Sequence, residues 1–410
     1  MENRRMDLLE LHKIAYYSRD KIETCKISTD NYISTDNMKP NKQGIERAVK
    51  LPPSKTVNKF IPGDILISNI RPYFKKIWFA DKEGGASSDI LVIRCKDLKI
   101  IDSKYLYYVL SRNDFFEYVM LSAKGSKMPR GDKDSIMKYR IHIPSLEEQK
   151  KIVKILSTID TKIEVNAKLN KDLDALAQSL FEKWFVKFDL CDEVDTMTKQ
   201  TDIIMEDSEL GLIPKGWSIK SLGKLGEVIG GATPSTKISE YYGGDISWIT
   251  PKDLSGYNRK FINKGERNIT ELGYKSCSTR ILPRGTVLFS SRAPIGYVVV
   301  ANQEVCTNQG FKSIICDENL VNTNYIYYFL KLNTERIANN GSGSTFKEIS
   351  ANQMREIKVI LPTKDIMSRY GDITTSIDNL IIENYEEIDK LTELRESLIP
   401  QLISGKIAIE

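Results

Sequence analysis

Two long stretches of the chain place an apolar residue at about every third or fourth position, with charged residues between them. In residues 147–185 these positions are Ile152, Leu156, Ile159, Ile163, Leu169, Leu173, Leu176, Leu180 and Trp184. In residues 365–403 they are Ile373, Ile377, Ile381, Ile388, Leu391, Leu394, Leu398 and Leu402. The pattern predicts two amphipathic helices, each with one narrow apolar stripe. Each would be roughly 60 Å long, and Pro400 predicts a kink or an early end to the second.

Helices of this length cannot bury a stripe inside a small domain, so we expect the two stripes to pack together as a coiled coil. Antiparallel pairing would relate the halves by a pseudo-twofold axis, whereas parallel pairing would require the intervening chain to retrace the helices. Asn166 and Asn384 would either face each other and fix the register or stand solvated at the stripe edge. The residues predicted to pair the helices are Ile159, Ile163, Asn166, Leu173, Leu176, Leu180, Ile377, Ile381, Asn384, Leu391, Leu394 and Leu398.

Before each helix the chain changes to short runs of β-branched and aromatic residues separated by Gly, Pro and Asn, which predict strands. We therefore predict an α+β fold, with two similar mixed α/β globular domains joined by two long antiparallel coiled-coil helices. The expected boundaries are a first domain at 1–145, a central helix at 146–188, a polar linker at 189–211, a second domain at 212–363 and a C-terminal helix at 364–410.

The two halves also repeat each other at a constant offset of 218 residues, so that Gly125 matches Gly343 and Pro144 matches Pro362. Within the helices, Ile159, Asp160, Ile163, Asn166, Leu173, Leu176, Ser179 and Leu180 match Ile377, Asp378, Ile381, Asn384, Leu391, Leu394, Ser397 and Leu398. A period near half the chain indicates duplication of a domain-sized unit.

Charge is divided unevenly between the helices and the remainder of the chain. The whole chain carries +5, and residues 147–185 and 365–403 together carry −6, which leaves +11 elsewhere. A basic excess outside the helices suits a polyanionic partner, although solvated lysines on globular surfaces explain it equally well.

The sequence offers few residues for catalysis. It contains only two histidines, and its six cysteines include no Cys-x-x-Cys pair, so we predict no metal site and no catalytic residue. The segment Gly341-Ser-Gly-Ser-Thr345 lacks both the dinucleotide fingerprint and the P-loop pattern. Scattered cysteines and the absence of a signal sequence or a long apolar run predict a soluble cytoplasmic protein.

Basic and hydroxyl-rich loops occur at matching places in the two halves. Residues 62–71 and 283–292 each contain a Pro and Gly turn, a strand, and then Ser and Arg. Arginine can bind phosphate or the edge of guanine, and serine can bind phosphate or base. Solvent exposure alone would explain each loop, but their recurrence favours DNA contact. The residues predicted to bind DNA are Arg71, Lys75, Lys124, Ser126, Lys127, Arg130, Thr233, Ser235, Lys237, Thr250, Lys252, Ser290, Arg292, Ser342, Ser344, Thr345 and Lys347.

Three segments resemble a known family, the DNA specificity subunits of type I restriction-modification systems. Residues 212–237, with Pro214-Lys-Gly-Trp217 and Gly230-Gly-Ala-Thr-Pro-Ser235, are similar to the opening of its target recognition domain. Residues 143–152 resemble the entry to its central helix, and residues 394–406 resemble its closing helix. The first half lacks the Pro-x-Gly-Trp and Gly-Gly-x-Thr-Pro-Ser patterns.

The resemblance implies a non-catalytic subunit that binds double-stranded DNA. Each domain would read one half of a bipartite asymmetric site, while the helices would act as spacer and would hold two methyltransferase subunits and, with them, motor-nuclease subunits. S-adenosylmethionine, ATP and Mg²⁺ would bind those partners and not this chain. Two alternatives are a self-contained nuclease and a coiled-coil adaptor without DNA binding. Salt-dependent DNA binding would separate the adaptor from the specificity subunit, because phosphate contacts release counterions.

Overall fold

The computed structural model describes residues 7–125, 127–190, 204–341 and 347–407. The chain divides into two units, and the division falls inside both long helices. Unit 1 comprises Met1–Asn166 with Glu387–Glu410, and unit 2 comprises Ala167–Glu386. Each unit therefore contains one segment of each long helix.

Unit 1 consists of short strands and short helices that precede the first long helix. Its strands are β1 (Asp7–Glu10), β2 (Ala15–Tyr17), β3 (Lys21–Glu23), β4 (Tyr32–Ile33), β5 (Thr56–Phe60), β6 (Ile65–Ser68), β7 (Ile77–Phe79), β8 (Gly84–Ala86), β9 (Ile90–Cys95) and β10 (Arg140–Ile143). Its helices are α1 (Leu11–Ile14), α2 (Ser103–Leu110), α3 (Asn113–Leu121), α4 (Lys133–Met137) and the first part of α5 (Leu146–Phe181).

Unit 2 has a similar composition. Its strands are β11 (Met205–Ser208), β12 (Gly211–Pro214), β13 (Ser218–Ser221), β14 (Gly226–Gly230), β15 (Tyr242–Ile249), β16 (Phe261–Ile262), β17 (Arg267–Ile269), β18 (Val287–Ser291), β19 (Ile295–Ala301), β20 (Cys306–Thr307), β21 (Lys312–Cys316) and β22 (Lys358–Leu361). Its short helices are α6 (Glu271–Lys275), α7 (Thr323–Leu332), α8 (Thr334–Asn339) and α9 (Ala351–Glu356), and it contains most of α10 (Lys364–Ile403).

The sheets confirm that the two units are copies of one plan. Unit 1 contains a sheet of order β2-β9-β6-β7, and unit 2 contains one of order β14-β21-β18-β19-β16. Neighbouring strands are antiparallel in the four positions that the two sheets share. In each unit an early strand also pairs with the strand that precedes the long helix, β1 with β10 and β13 with β22. The sequence repeat therefore corresponds to a repeated topology.

A tyrosine-rich helix packs against the long helices in each unit, and both copies begin with a side-chain cap. The carboxylate of Asp102 accepts bonds from backbone N–H groups of α2, and the amide oxygen of Asn322 does the same for α7. The hydroxyl of Tyr108 donates to Asp160 on α5 at 2.6 Å. In unit 2 the hydroxyl of Tyr328 donates to Asp174 on α5 at 2.8 Å. A buried tyrosine of each unit therefore ends on a helix carboxylate, which satisfies its hydroxyl.

The long helices run antiparallel within unit 1. Asp160 of α5 pairs with Arg395 of α10 at 2.8 Å, and Asn166, further along α5, donates to Glu387, which comes earlier in α10, at 2.6 Å. Ile152 and Leu156 of α5 belong to the same apolar cluster as Ile399, Leu402 and Ile403 of α10. The predicted antiparallel pairing is confirmed for this segment.

Unit 2 shows the same direction of pairing. Asn170 of α5 donates to the carbonyl of Ile381, and Asn384 donates to the amide oxygen of Asn170 at 2.8 Å. Further along α5, Phe181 stacks near Tyr370, which comes earlier in α10. The expectation that Asn166 and Asn384 bond to each other is wrong, since Asn384 bonds to Asn170 and Asn166 bonds to Glu387. Polar groups do lie in the seam, but they pair with residues displaced by about one helical turn.

Two of the predicted seam leucines lie outside the seam. Leu176 is 58% exposed and Leu394 is 47% exposed. The buried positions of α5 near this point are Asn170 and Ala177, seven residues apart, so the stripe passes one position beyond Leu176. Because one position is about 100° of rotation on a helix, Leu176 is turned out of the seam. Leu394 is the repeat-related residue, and it is exposed as well.

Two other expectations at the ends of the helices need correction. The predicted linker at 189–211 contains β11, which forms a hairpin with β12, while residues 191–203 lie outside the described residues. This strand is exposed on both faces and so carries no alternating pattern. Helix α10 runs through Pro400 to Ile403 and does not end early. Pro400 removes only the bond that its own N–H would donate, and the hydrogen bonding resumes beyond it, where the N–H of Ser404 donates to the carbonyl of Pro400 at 3.1 Å.

A buried ionic cluster fixes unit 2 on α10. The ammonium of Lys260, whose side chain is 1% exposed, lies 2.5 Å from Asp378 and donates to Asn324. Burial lowers the pKa of Lys260 and raises the pKa of Asp378, and the charge of each partner opposes these shifts. Removing one partner of such a pair strands the other as an isolated buried charge.

We predict that Lys260→Met destabilises unit 2 by roughly 3–5 kcal/mol, because Asp378 is left unpaired. The double variant Lys260→Met with Asp378→Leu should recover most of that loss. The free energy of unfolding from urea denaturation measures both effects. Lys252→Met is the matched control, since Lys252 forms a solvent-exposed pair with Glu266 that contributes little to stability. Equal losses in Lys260→Met and Lys252→Met would refute the prediction.

Candidate nucleic-acid interface

In unit 1 the structure brings together the two loops that were predicted separately. Strand β6 ends at Ser68, and Arg71 follows in a left-handed conformation with φ of 50°. The backbone N–H of Arg71 donates to the carbonyl of Pro129 at 2.8 Å. Lys124 and Arg130 close their own loop with two reciprocal backbone bonds of 2.9 Å. Arg71, Lys124 and Arg130 therefore belong to one contiguous loop surface.

The cationic side chains of this surface form only solvent-exposed ion pairs or hydrogen bonds with neighbouring residues. The ammonium of Lys124 lies 3.0 Å from the carboxylate of Asp132, and the Lys124 side chain is 83% exposed. Arg130 lies 3.4 Å from Asp89, with about half of its side chain exposed. Lys75 donates to Asn113 at 2.9 Å, and Lys127 is exposed. Exposed ion pairs are worth little, so phosphate oxygens can replace these carboxylates. Ser126 lies outside the described residues.

The corresponding surface of unit 2 begins at the end of β18. Arg292 follows Ser291, and the carbonyl of Ser291 accepts a bond from the backbone N–H of Ile349 at 3.0 Å. Exposed Lys347 therefore lies beside the strand end that carries Arg292. This repeats the arrangement in unit 1, where the loop after α3 meets the end of β6. Ser342, Ser344 and Thr345 of the same loop lie outside the described residues.

One carboxylate bridges two cations at this point. Glu348 lies 3.5 Å from Arg292 and 3.2 Å from Lys312. Arg292 and Glu348 are each between a third and two-fifths exposed, whereas Lys312 is only 12% exposed. The carboxylate thus occupies the position at which a phosphate would neutralise the same two cations.

The loop at Thr233 packs closely against the β20–β21 turn. A side chain at Gly231 would place its Cβ 2.1 Å from the carbonyl oxygen of Thr307, so glycine permits this approach. Thr233 donates its hydroxyl hydrogen to the amide oxygen of Gln309, which stands exposed at the tip of the turn. Ser235 and Lys237 follow on the exposed part of the loop.

The Thr250 loop joins the same surface. The backbone N–H of Asn308, in the β20–β21 turn, donates to the carbonyl of Ile249 at 3.0 Å. Thr250 then caps a short turn through Asp253, which accepts from both its N–H and its hydroxyl at 2.7 Å. Lys252 is 78% exposed and pairs with Glu266. Thr233, Thr250 and the residues that follow them therefore lie on adjoining loops.

Ser290 does not fit the predicted role of a DNA-contacting residue. Its side chain is fully buried, and its hydroxyl donates to the carbonyl of Pro294 and accepts from the N–H of Tyr297, both at 2.8 Å. Both bonds hold the turn that follows β18. The pattern of Ser before Arg was correct about the turn, but it could not show that Ser290 and the neighbouring Ser291 are both fully buried.

Left-handed backbone conformations concentrate at these loops. In the described ranges, the non-glycine residues with positive φ are Asn41, Lys42, Arg71, Lys75, Phe188 and Ala293. Arg71 and Lys75 flank one turn after β6, Asn41 and Lys42 donate backbone bonds to that turn, and Ala293 follows Arg292. Each such residue costs of order 1–3 kcal/mol and persists where the surrounding structure determines it. These strand ends therefore have a fixed shape.

Sequence patterns missed several polar residues of this surface. Lys312 was hidden because it begins strand β21, and Glu348 because a single carboxylate in a basic loop carries no signal. Gln309 precedes a glycine in a tight turn, which was the only available indication. Within the described residues no group of three or more His, Cys, Asp and Glu side chains could hold a metal ion. None of the helices described is long and apolar enough to cross a membrane.

The loops, the two units and the long helices define a duplicated DNA-recognition protein, and comparison with known proteins agrees. The chain matches the family model of the type I restriction modification DNA specificity domain twice, at residues 4–175 and 214–393. These ranges cover most of the chain, and the protein belongs to this non-catalytic family. Neither the nuclease nor the adaptor alternative is supported.

The chain is also similar to individual specificity subunits. The chain is 44% identical over 190 residues to the type I restriction enzyme MjaIX specificity subunit of Methanocaldococcus jannaschii, a match that spans 46% of this chain and 44% of that protein. It is 28% identical to the HindI specificity subunit of Haemophilus influenzae across 88% of this chain and 90% of that one. The crystal structure of a type I S subunit from M. genitalium matches the fold with a TM-score of 0.56 at 16% identity, covering 100% and 99% of the two chains.

We predict that Glu348→Gln tightens binding to duplex DNA by about two- to fivefold at low salt, because Arg292 and Lys312 lose the carboxylate that neutralises them. The slope of log K against log salt should become steeper by up to about one unit. Fluorescence anisotropy over a salt series measures both. Glu227→Gln is the matched control, since Glu227 pairs with Arg280 at an exposed site. An unchanged or weaker affinity in Glu348→Gln would show that this carboxylate does not compete with phosphate.

Proposed function

We propose that this chain reads a bipartite asymmetric DNA site for a type I restriction-modification complex, with each unit binding one half-site. The observation that carries the proposal is the repeated placement of Arg71 and Arg292 at equivalent strand ends, each beside a basic loop. Arginine at such a position can bond to guanine through two N–H groups or hold a phosphate. Membership of the DNA specificity family supports the same conclusion.

The residues divide by their chemistry. The exposed lysines and Arg130 would bind phosphates and fix the register, whereas Arg71, Arg292 and the hydroxyl groups of the Thr233 and Thr250 loops would approach base edges. Ser290 supports the turn instead. The serines and threonine at 126, 342, 344 and 345 remain predictions. Because the loops of the two units differ in sequence while their sheets correspond, the half-sites would differ, which makes the target asymmetric.

The exposed leucines of the long helices would bind methyltransferase subunits. Leu176 and Leu394 are related by the repeat, and each is about half exposed. A repeated apolar residue in each unit suits two copies of one partner. Specificity subunits would then join motor-nuclease subunits through this assembly in the cytoplasm. S-adenosylmethionine, ATP and Mg²⁺ would bind those partners, and helix length would set the number of unread base pairs.

We predict that the assembled methyltransferase binds its cognate duplex with steep salt dependence and that Arg292→Ala weakens recognition of one half-site by about 10- to 100-fold. Methylation sequencing in cells identifies the target, and binding to duplexes mutated in either half assigns the affected side. Arg280→Ala is the control, since it removes an exposed, paired arginine of the same unit. Full discrimination at both half-sites in Arg292→Ala would exclude the assigned role.

A second prediction concerns assembly. Leu176→Asp and Leu394→Asp should each reduce the number of bound methyltransferase subunits from two to one, because a charge would be buried in the contact. Native mass spectrometry gives the stoichiometry. Leu272→Asp, in the short helix α6, changes a leucine that is 62% exposed elsewhere and should leave two subunits bound. Two bound subunits in both helix variants would show that the partner docks on another surface.

A further inference from the structure

The turn after β6 exposes two aromatic rings among cations. Tyr73 is 46% exposed and Phe74 is 37% exposed, and their ring centroids lie 4.6 Å apart. The bond from the N–H of Arg71 to the carbonyl of Pro129 places this turn beside Met128, which is 45% exposed. Phosphate groups do not stabilise exposed aromatic rings. A binding partner that contacts both the rings and the cations must therefore offer an apolar or aromatic face between its negative charges.

The turn is held rigidly at both ends. Arg71 and Lys75 have left-handed backbones, with φ of 50° each, and Pro72 begins the 3₁₀ turn between them. The N–H of Asn41 donates to the carbonyl of Phe74 at 2.8 Å, and the N–H of Lys42 donates to that of Lys75 at 3.0 Å. These bonds keep the rings presented without a partner, so little ordering is required on binding.

The Asn41–Lys42 segment is itself anchored inside unit 1. The side chain of Lys42 is only 7% exposed, and its ammonium lies 2.5 Å from Glu396 on α10. The turn that carries the rings is therefore anchored to α10 through Phe74 and Lys75, and it does not depend on a free loop for its position. Beside the rings, the Nε of Arg71 is buried and has no hydrogen-bond partner within the protein. A group that arrives at this turn can satisfy it.

The equivalent turn of unit 2 has a different character. After Arg292 the chain continues as Ala293-Pro294-Ile295-Gly296, with no aromatic residue at the tip. A side chain at Gly296 would meet Thr334 at 2.2 Å, so this turn packs down against α8. In the part of the chain that the structure describes, the turn after β18 therefore has no counterpart of this exposed ring pair.

We propose that Tyr73, backed by Phe74, enters the base stack of the half-site bound by unit 1 and separates one base step. Apolar side chains that insert between bases unstack them and kink the duplex, while neighbouring cations hold the phosphates on either side. Duplex DNA offers both the aromatic faces and the charges that this turn requires. The inference rests on the proposed function and adds to it a distortion of the DNA in one half-site only.

The test uses the full chain assembled with its methyltransferase subunits, without S-adenosylmethionine. 2-Aminopurine replaces one purine at a time in both half-sites, except at the adenines that become methylated, because those leave the stack for another reason. The wild-type complex should raise the fluorescence at one step of one half-site. Tyr73→Ala should abolish most of that rise and weaken binding on the order of tenfold, whereas Tyr73→Trp should retain both. Tyr16→Ala, which removes another exposed tyrosine of unit 1, should behave as wild type.

The outcomes are distinct. An undiminished fluorescence rise in Tyr73→Ala overturns the proposal, as does tight binding by the wild type without any rise. In both cases the chain still binds DNA, so the proposed function stands while the inserted ring is rejected. If the wild-type complex shows no salt-dependent DNA binding, the proposed function fails and this inference fails with it.

Discussion

A buried lysine ties each DNA-facing unit to the long helices. Lys42 pairs with Glu396 in unit 1, and Lys260 pairs with Asp378 in unit 2. These two lysines stand 218 residues apart, which is the offset of the repeat. Burial of an ammonium is costly, and the cost is offset only when a carboxylate meets it in good geometry. An apolar contact tolerates sliding, but a buried pair does not, so the lysine fixes the orientation of the loops above it.

The surrounding contacts extend this constraint to the loops. In unit 1 the residue that carries the buried charge also donates its backbone N–H to Lys75, in the turn that presents Tyr73. In unit 2 Lys260 contacts Asn324 and Tyr328 of α7, whose helix packs beneath β18 and β19. The end of β18 carries Arg292. Within each unit, hydrogen bonds and packed elements thus connect a helix carboxylate to the loop that carries Tyr73 or Arg292, by a different path in each copy.

The sequence predicted the parts of this structure that depend on periodicity. The two helices follow from apolar spacing, and short β-branched and aromatic runs predicted strands before each helix. Antiparallel pairing followed from the chain connectivity that a parallel pair would require, and the repeat showed the duplication. Predictions failed where a shift of one residue decides which side chain is buried. Leu176 differs from buried Ala177 by one position. Ser290 and Ser291 are both fully buried, which the pattern of Ser before Arg does not reveal. Strand β11 has no buried residue, so it has no pattern of alternating burial. Glu348 and Tyr73 gain their meaning from neighbours distant in sequence, which spacing cannot show.

Residues with a left-handed backbone lie in the turns after β6 and β18, where the sequences of the two units differ. A duplicated fold keeps its sheets because any change there is felt throughout a packed core. New specificity must therefore arise in the turns, yet a turn that recognises DNA has to hold its shape before DNA arrives. The chain meets this requirement with strained non-glycine residues, Arg71 and Lys75 in one copy and Ala293 in the other. Glycine would relieve the strain but would also allow the turn to move. Retaining side chains at left-handed positions is thus the physical consequence of building two different recognition surfaces on one repeated frame.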